Sequence, residues 1–194
     1  MEILLNERGA HLSYPSFDKI HSKHVELEKM ENQYWQNHDL FSFQWWLLLL
    51  VLIVPWKLWV KFVDRKRIKE ILLFGALLII FIGLLDDIGV NLSLWSYPYK
   101  LTYLVTRLSA VDYGMIVVMH MFIYQKFKEW KTFLIANILL AAIFTFIFEP
   151  ISVRLGIYKL DNWKYIYSFP IYILKASLVK TIIDKWLEKI KGTE

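Results

Sequence analysis

Residues 84–100 read LLDDIGVNLSLWSYPYK, and a looser version of the same pattern, FEPISVRLGIYKLDNWKYIYSFP, occupies residues 148–170. Each stretch follows a long apolar run, begins with carboxylates and continues into glycine, tryptophan and tyrosine. Two apolar runs lie between the stretches, so both stretches emerge on the same face if the runs cross a membrane. The pattern therefore indicates a small multi-pass membrane protein with one acidic, aromatic face.

The composition supports this class. The chain has 194 residues, of which 57% are hydrophobic, and this is too apolar for an ordinary soluble domain. About 20 mainly apolar residues are needed to cross the hydrocarbon core of a bilayer. We therefore predict an all-α integral membrane protein, a bundle of about five transmembrane helices preceded by a polar N-terminal helix. The predicted spans are 43–62, 70–87, 108–127, 132–150 and 165–185, in a bundle over residues 43–190 that leaves 191–194 as a tail.

The net charge of +5 lies in clusters beside the apolar runs. This distribution indicates membrane topology rather than nucleic-acid binding. Because basic loops stay in the cytoplasm, we predict an outside N-terminus and a cytoplasmic C-terminus. Tryptophans at both ends of the first run predict an aromatic belt at the two interfaces. The basic residues assigned to the cytoplasmic side are Lys61, Arg65, Lys66, Arg67, Lys69, Lys128, Lys131, Lys185, Lys189 and Lys191.

Residues 1–42 form a separate polar segment. Ser16 or Asp18 is a suitable N-cap for an amphipathic helix that runs to about Gln36. Such a helix fits either an interfacial position on the bilayer or a tail that only orients the chain, and we favour the tail. The apolar stripe of this helix consists of Ile20, Leu27, Met30 and Tyr34.

Four carboxylates are predicted at one level of the bundle. Asp86 and Asp87 end the second span, Asp112 opens the third and Glu149 ends the fourth. One reading is that they simply end helices in headgroup water. Against it, Glu149 is followed by Pro150 and further apolar residues, which places Glu149 short of bulk solvent. Neighbouring helical positions point about 100° apart, so the two adjacent aspartates are not expected to share one ligand.

Lys175 is the most informative single residue, because its predicted depth is roughly 15 Å from the start of the fifth span. A charge at the centre of a bilayer costs about 3 kcal/mol on insertion scales. We favour an ion pair with Glu149 or Asp112 over the alternative, in which the long side chain reaches an interface. Ser168 and Tyr172 share a helical face with Lys175.

No metal or cofactor is predicted. His120 lies at a similar depth in the third span, and a lone histidine there is more often hydrogen-bonded in the core than a ligand. The chain has no cysteine, no His-x-x-x-His motif and no Glu-x-x-His motif, so its carboxylates do not specify a transition metal. Glycine-rich phosphate loops and nucleophile elbows are also absent from the sequence.

Several segments carry a family resemblance, over about residues 35–186. The chain is similar to a family of small, uncharacterised multi-pass membrane proteins of spore-forming Firmicutes that is named after a clostridial open reading frame. The resemblance implies a bacterial membrane and a multi-pass helical fold, and it supplies no activity. The similar segments are residues 44–75, 85–100, 112–125 and 148–173, with matching positions at Asp86, Tyr97, Pro98, Lys100, Asp112, Gln125, Glu149, Trp163, Tyr167 and Ser168.

Three functions follow as hypotheses. We favour a non-catalytic protein that binds membrane lipid, a partner membrane protein or a second copy of itself. The first alternative is a membrane-embedded enzyme on a lipid or isoprenoid substrate, with Glu149 or Asp112 as its acid. The second is a small transporter or ion-pathway subunit with Lys175 and His120 as a relay. The predicted binding residues are Asp86, Asp87, Trp95, Tyr97, Trp163, Tyr167, Ser168, Tyr172, Lys175 and His120. Whether residues 101–108 re-enter the membrane is left open.

Overall fold

The computed structural model describes residues 14–191, with side chains to residue 189. This part of the chain is mainly helical and contains two short strands. The α-helices are α1 (Phe17–Tyr34), α2 (Phe43–Phe62), α3 (Ile68–Asn91), α4 (Val117–Lys126), α5 (Trp130–Ile143), α6 (Glu149–Arg154) and α7 (Tyr165–Lys191). π-Helical turns occupy Trp35–Asp39, Val111–Ile116 and Phe144–Phe148, a 3₁₀ turn occupies Arg65–Arg67, and the strands are β1 (Trp95–Ser96) and β2 (Lys159–Leu160).

The predicted all-helical class is confirmed. Four helices are long and apolar enough to cross a membrane, and they correspond to the first, second, fourth and fifth predicted spans. Their bounds are Phe43–Phe62, Arg65–Asn91, Trp130–Arg154 and Tyr165–Lys189. The third predicted span is shorter. It consists of a six-residue π-helical turn that continues into the ten-residue α4, and we call these residues 111–126 the central helix.

The central helix lies inside the bundle. A Cβ at Gly114 would lie only 2.5 Å from the backbone oxygen of Val51 in α2, so the two backbones are in close contact. At the far end, the Gln125 amide donates to the carbonyl of Phe62. The earlier residue of the central helix contacts the earlier residue of α2, and the later residue contacts the later one. The two helices therefore run parallel.

α3 runs the opposite way. The ring of Phe74, early in α3, stacks on Tyr124 at 4.3 Å between centroids, near the end of the central helix. Asp86, late in α3, meets Asp112 at its start. Polar groups of α3 and the central helix therefore meet at both ends of the bundle. Asp86 meets Asp112 at one end, and the Tyr124 hydroxyl donates to Glu70 at the other.

The two stretches quoted at the outset meet in space. β1 and β2 pair in antiparallel orientation, with Trp95 opposite Leu160 and Ser96 opposite Lys159. The residues between β1 and the central helix form bends and turns, not a helix. The acidic, aromatic face predicted from the repeat-like pattern is therefore one continuous layer that covers one end of the bundle.

The N-terminal helix begins as predicted, with the Ser16 hydroxyl accepting from the Lys19 amide. It continues through a π-helical turn to Asp39, whose side chain is 1% exposed. Asp39 accepts from the backbone amide of Lys100 at 3.0 Å, and the Trp35 indole donates to the Lys100 carbonyl. The C-terminal end of the N-terminal helix is thus hydrogen-bonded to the loop after β1. The apolar stripe of α1 is exposed.

Candidate functional site

A cavity of about 120 Å³ lies at the acidic end of the bundle, between α3, the central helix, α6 and α7. An engineered cavity of roughly 150 Å³ holds a benzene-sized molecule, so this one has room for a head group or a chain end rather than a whole lipid. It is not fully enclosed. The polar residues that line it include Asp86, Asp112, Glu149, Lys175, Ser168 and Trp163.

Asp86 is held by the stretch that follows its own helix. The Trp95 indole donates to its Oδ1 at 2.8 Å, and the Tyr97 hydroxyl donates to the same oxygen. Burial, followed by the nearby Asp86 carboxylate, raises the pKa of Tyr97 well above its ordinary value, so the hydroxyl stays protonated and remains a donor. The other carboxylate oxygen, Oδ2, has no donor among the described residues.

Asp112 faces Asp86 from the first turn of the central helix. The two carboxyl groups are within hydrogen-bonding reach of each other, and Oδ2 of Asp112 also lacks a protein donor within the described part of the chain. Both side chains are buried. Two negative charges cannot be held in contact in such a place, so the pair must carry a shared proton or a bound cationic group.

Glu149 is positioned by a short relay. It lies directly before Pro150 in the continuous helical stretch Trp130–Arg154. The Ser168 hydroxyl donates to its Oε2 at 3.1 Å, and the Trp163 indole donates to the Ser168 oxygen at 3.0 Å.

Lys175 does not make the ion pair predicted for it. No carboxylate of the described chain lies within 4.0 Å of its Nζ, although the side chain is only 7% exposed. The ammonium instead lies 4.0 Å from the centre of the Tyr172 ring, a cation–π contact. Asp112 and Glu149 line the same cavity. The cavity wall therefore carries an ammonium that has no hydrogen-bond acceptor among the described residues.

Three predicted binding residues lie outside the cavity lining. Asp87 faces solvent and pairs with Arg107 at 3.3 Å, in line with the 100° offset from Asp86. Tyr167 is exposed and packs edge-on to Trp163. His120 is fully buried in the core, where its Nδ1 donates to the carbonyl of Ile116 at 2.7 Å.

Tyr158 is the lining tyrosine that the sequence analysis did not predict. Tyr158 is buried and stacks on Tyr97 at 5.6 Å between ring centroids. Burial, with the carboxylates of Glu149 and Asp86 adding to it, raises the pKa of this hydroxyl. Its position inside the second acidic, aromatic stretch was the signal that could have identified it.

Among the described residues, no group of three carboxylate or histidine side chains is arranged so that it could hold a metal ion. The cavity brings together the Asp86–Asp112 acid pair, a third carboxylate, an ammonium without an ion-pair partner among the described residues, and apolar walls. Such a set can bind a polar head on an apolar chain and can exchange protons with it. Comparison of the chain with protein-family models, with curated proteins and with solved structures finds no match.

Proposed function

We propose that the protein is a multi-pass protein of the bacterial cytoplasmic membrane that binds the head of a small amphipathic lipid in this cavity and does not turn it over. The observation that carries the proposal is Lys175. A buried ammonium without a protein acceptor, on the wall of a largely apolar cavity, is a binding group that lacks its partner.

A membrane location is supported by where the apolar side chains point. The apolar windows of the four long helices are only 11–39% buried inside the bundle, so most of their apolar residues face outward, as lipid-facing residues do. The central helix makes a fifth pass that is covered by its neighbours. With five passes, the basic end at Arg65–Arg67 is cytoplasmic by the positive-inside rule, and the acidic layer faces outward.

The spacing of the polar layers fits a bilayer. The outer layer contains Asp86, and an inner network contains Glu70 and Arg67, which pair through the two guanidinium donors at 2.6 and 3.1 Å. From Glu70 to Asp86 along α3 is roughly 24 Å at 1.5 Å per residue. This is close to the hydrocarbon thickness of about 30 Å, so the cavity lies at the outer interface, where lipid heads are found.

The chemistry of the cavity favours a hydroxyl head. Lys175 requires an acceptor, whereas an ionised Glu149 and the Oδ2 oxygens of the acid pair require donors. A hydroxyl supplies both. An isoprenoid or acyl alcohol, with its chain leaving between the apolar walls, satisfies these groups better than a phosphate head, which only accepts and would be repelled by the carboxylates.

Native mass spectrometry in mild detergent, with identification of the bound lipid, tests the proposal. We expect one hydroxyl-bearing lipid per protein in the wild type and its loss in Lys175→Met and in Glu149→Gln. The matched control is Asp87→Asn, which neutralises an acid one position from Asp86 but outside the cavity, and it should retain the lipid. The proposal fails if only bulk lipid is found, in equal amounts in all four proteins.

A membrane-embedded acid catalyst is the second candidate, and the Asp86–Asp112 pair favours it. A shared proton beside an apolar cavity is a proton source for an isoprenoid or other lipid substrate. Product formation from the co-purified lipid that vanishes in Asp112→Asn but survives in Asp87→Asn would establish the enzyme. Stoichiometric lipid that is recovered unchanged after incubation would establish binding alone.

A further inference from the structure

We propose that a second cleft, between the end of the N-terminal helix and the loop after β1, binds a zwitterionic head group that carries an ammonium and a phosphate, as phosphatidylethanolamine does. This goes beyond the proposed function, because the cleft lies outside the acidic cavity and selects a different head group. It rests on the proposed membrane location only where it takes a bilayer phospholipid as the source of that head. The charged and aromatic walls of the cleft include Glu31, Tyr34, Trp35, Tyr97, Lys100 and Tyr103.

The cleft has the size of a small head group. Its volume is about 310 Å³, and it is not fully enclosed. A cavity of roughly 150 Å³ already holds a benzene-sized molecule, so an ammonium and a phosphate fit side by side. The ring of Tyr97 is a wall of both this cleft and the acidic cavity. Its hydroxyl is already bonded to Asp86, so the ring, rather than the hydroxyl, is what this side chain offers to a ligand in the cleft.

The two sides of the cleft are joined through the backbone of Lys100. Its amide donates to Oδ2 of Asp39 at 3.0 Å, and its carbonyl accepts from the Trp35 indole at 3.2 Å. The other carboxylate oxygen of Asp39 lies 2.9 Å from Nδ1 of His38. Both oxygens of this buried carboxylate are therefore engaged within the protein. Since none of these bonds uses the Lys100 side chain, its substitution should leave the frame of the cleft in place.

Glu31 and Lys100 give the cleft one charge of each sign. Oε1 of Glu31 and Nζ of Lys100 lie 3.9 Å apart, and the Lys100 side chain is only 15% exposed. This distance is beyond hydrogen-bond range, so each group keeps its capacity to bond a ligand. A simple anion would be attracted by Lys100 and repelled by Glu31, and a simple cation the reverse. A zwitterion satisfies both, because its phosphate accepts from the lysine while its ammonium donates to the carboxylate.

Aromatic rings favour the ammonium end of such a ligand. The face of a ring attracts a cation that lies within about 6 Å of its centre. The rings of Trp35 and Tyr103 form a tilted pair with centroids 5.9 Å apart. Glu31 and Tyr34 are three residues apart in α1 and so share a helical face. An alkylammonium group is therefore bound by ring faces and a carboxylate together, whereas a head that carries only a phosphate leaves them without a partner.

The cleft lies at the level where α2 begins. The Trp45 indole, in the first turn of α2, donates to the carbonyl of Leu101 at 3.1 Å, which places the residue after Lys100 beside the start of this helix. Phe41 and Trp46 pack on Trp45 and form an aromatic cluster there. Aromatic clusters at the ends of spanning helices lie among lipid head groups. With the proposed membrane location, the head of a bilayer phospholipid therefore reaches the cleft.

Lipid titration followed by native mass spectrometry tests the inference. Full-length protein in mild detergent is titrated with short-chain phosphatidylethanolamine and with its N-acetylated form, which lacks the ammonium. We expect one saturable site for the first lipid and binding about tenfold weaker or worse for the second, since a hydrogen bond to a charged group is worth at least that factor. Lys100→Met and Glu31→Gln should each weaken binding to a similar extent. The matched controls are Lys23→Met and Glu26→Gln, because this ion pair lies on the same helix and outside the cleft lining.

The inference is overturned if the two lipids bind equally well, or if Lys100→Met and Glu31→Gln bind like the wild type. Size-exclusion profiles and helical circular dichroism of each variant exclude misfolding as the cause of a loss. Competition with free glycerophosphoethanolamine identifies the source of the head: displacement shows that the free zwitterion is recognised, and its failure shows that the site requires the lipid. Lys175→Met separates the two proposals, because it should lose the hydroxyl-bearing lipid of the cavity and keep phosphatidylethanolamine.

Discussion

The close approach of Gly114 to the backbone of α2 gives a sharp test of the helix packing. A Cβ at Gly114 would lie 2.5 Å from the carbonyl oxygen of Val51 and 2.8 Å from Cα of Leu52. Both are backbone atoms of α2, so Gly114→Ala can be accommodated only if α2 moves away from the central helix. The neighbouring hydrogen bond from the Trp56 indole to the Tyr113 carbonyl, 2.7 Å long, should lengthen as well.

The magnitude follows from two opposing effects. Overpacking a well-packed core costs about 1–3 kcal/mol, and rigid backbone neighbours place Gly114→Ala at the upper limit. Alanine is about 1 kcal/mol better than glycine inside a helix, which leaves a net loss of about 2 kcal/mol. Gly75→Ala is the matched control. Its Cβ would meet the flexible end of Met121, with the sulfur at 2.6 Å, so the two effects should roughly cancel.

The assay is reversible unfolding in mixed micelles, with sodium dodecyl sulfate as denaturant and tryptophan fluorescence as readout. We expect Gly114→Ala to lower the free energy of unfolding clearly and Gly75→Ala to leave it nearly unchanged. If Gly114→Ala is as stable as the wild type, or if the two variants behave alike, the close parallel packing of α2 and the central helix is wrong.

Two further predictions concern the outer layer. Asp39→Ala removes the acceptor of the buried Lys100 amide, which should cost about 1–3 kcal/mol and release α1, seen as faster proteolysis in the N-terminal segment with the bundle intact. The Lys159 ammonium and then the Ser96 hydroxyl lower the pKa of Asp161 below its ordinary 3.8. This stabilisation is therefore complete above pH 3.8 and is lost as the pH falls through the lowered pKa. The protection of the β1–β2 backbone amides, expressed relative to the intrinsic exchange rate at each pH, should therefore be lower at pH 3 than at pH 6, and Asp161→Asn should abolish that difference.

The helical class and most of the helix positions could be predicted because apolar blocks of sufficient length are a direct physical requirement of a spanning helix. The third span was the exception. Val111–Ile116 and α4 are surrounded by other helices, so they need neither the length nor the uniform apolarity of a helix that faces lipid. The residue types at buried positions such as Gly114, Asp112 and His120 depend on contacts with other helices. The periodicity of one helix does not contain information about those contacts.

The acid layer was predictable in level but not in detail. Helical geometry predicted that Asp86 and Asp87 point in different directions. In the structure Asp86 is buried and Asp87 pairs with Arg107. The contact between Asp86 and Asp112 depends on a π-helical turn, which propensities do not predict. The ion pair predicted for Lys175 was wrong because a shared depth does not determine which side chains meet, and the ammonium lies over the Tyr172 ring instead.

Stability alone is a poor explanation for the buried polar groups of the cavity. Replacing buried charges by apolar residues of similar volume is often neutral or stabilising by 1–4 kcal/mol, so stability alone does not account for Lys175 or the acid pair. Lys175→Met should therefore fold at least as well as the wild type. Lys175 and the acid pair are therefore the positions at which substitution separates binding from folding, because an apolar replacement there removes a polar group from the cavity without removing a contact on which the bundle depends.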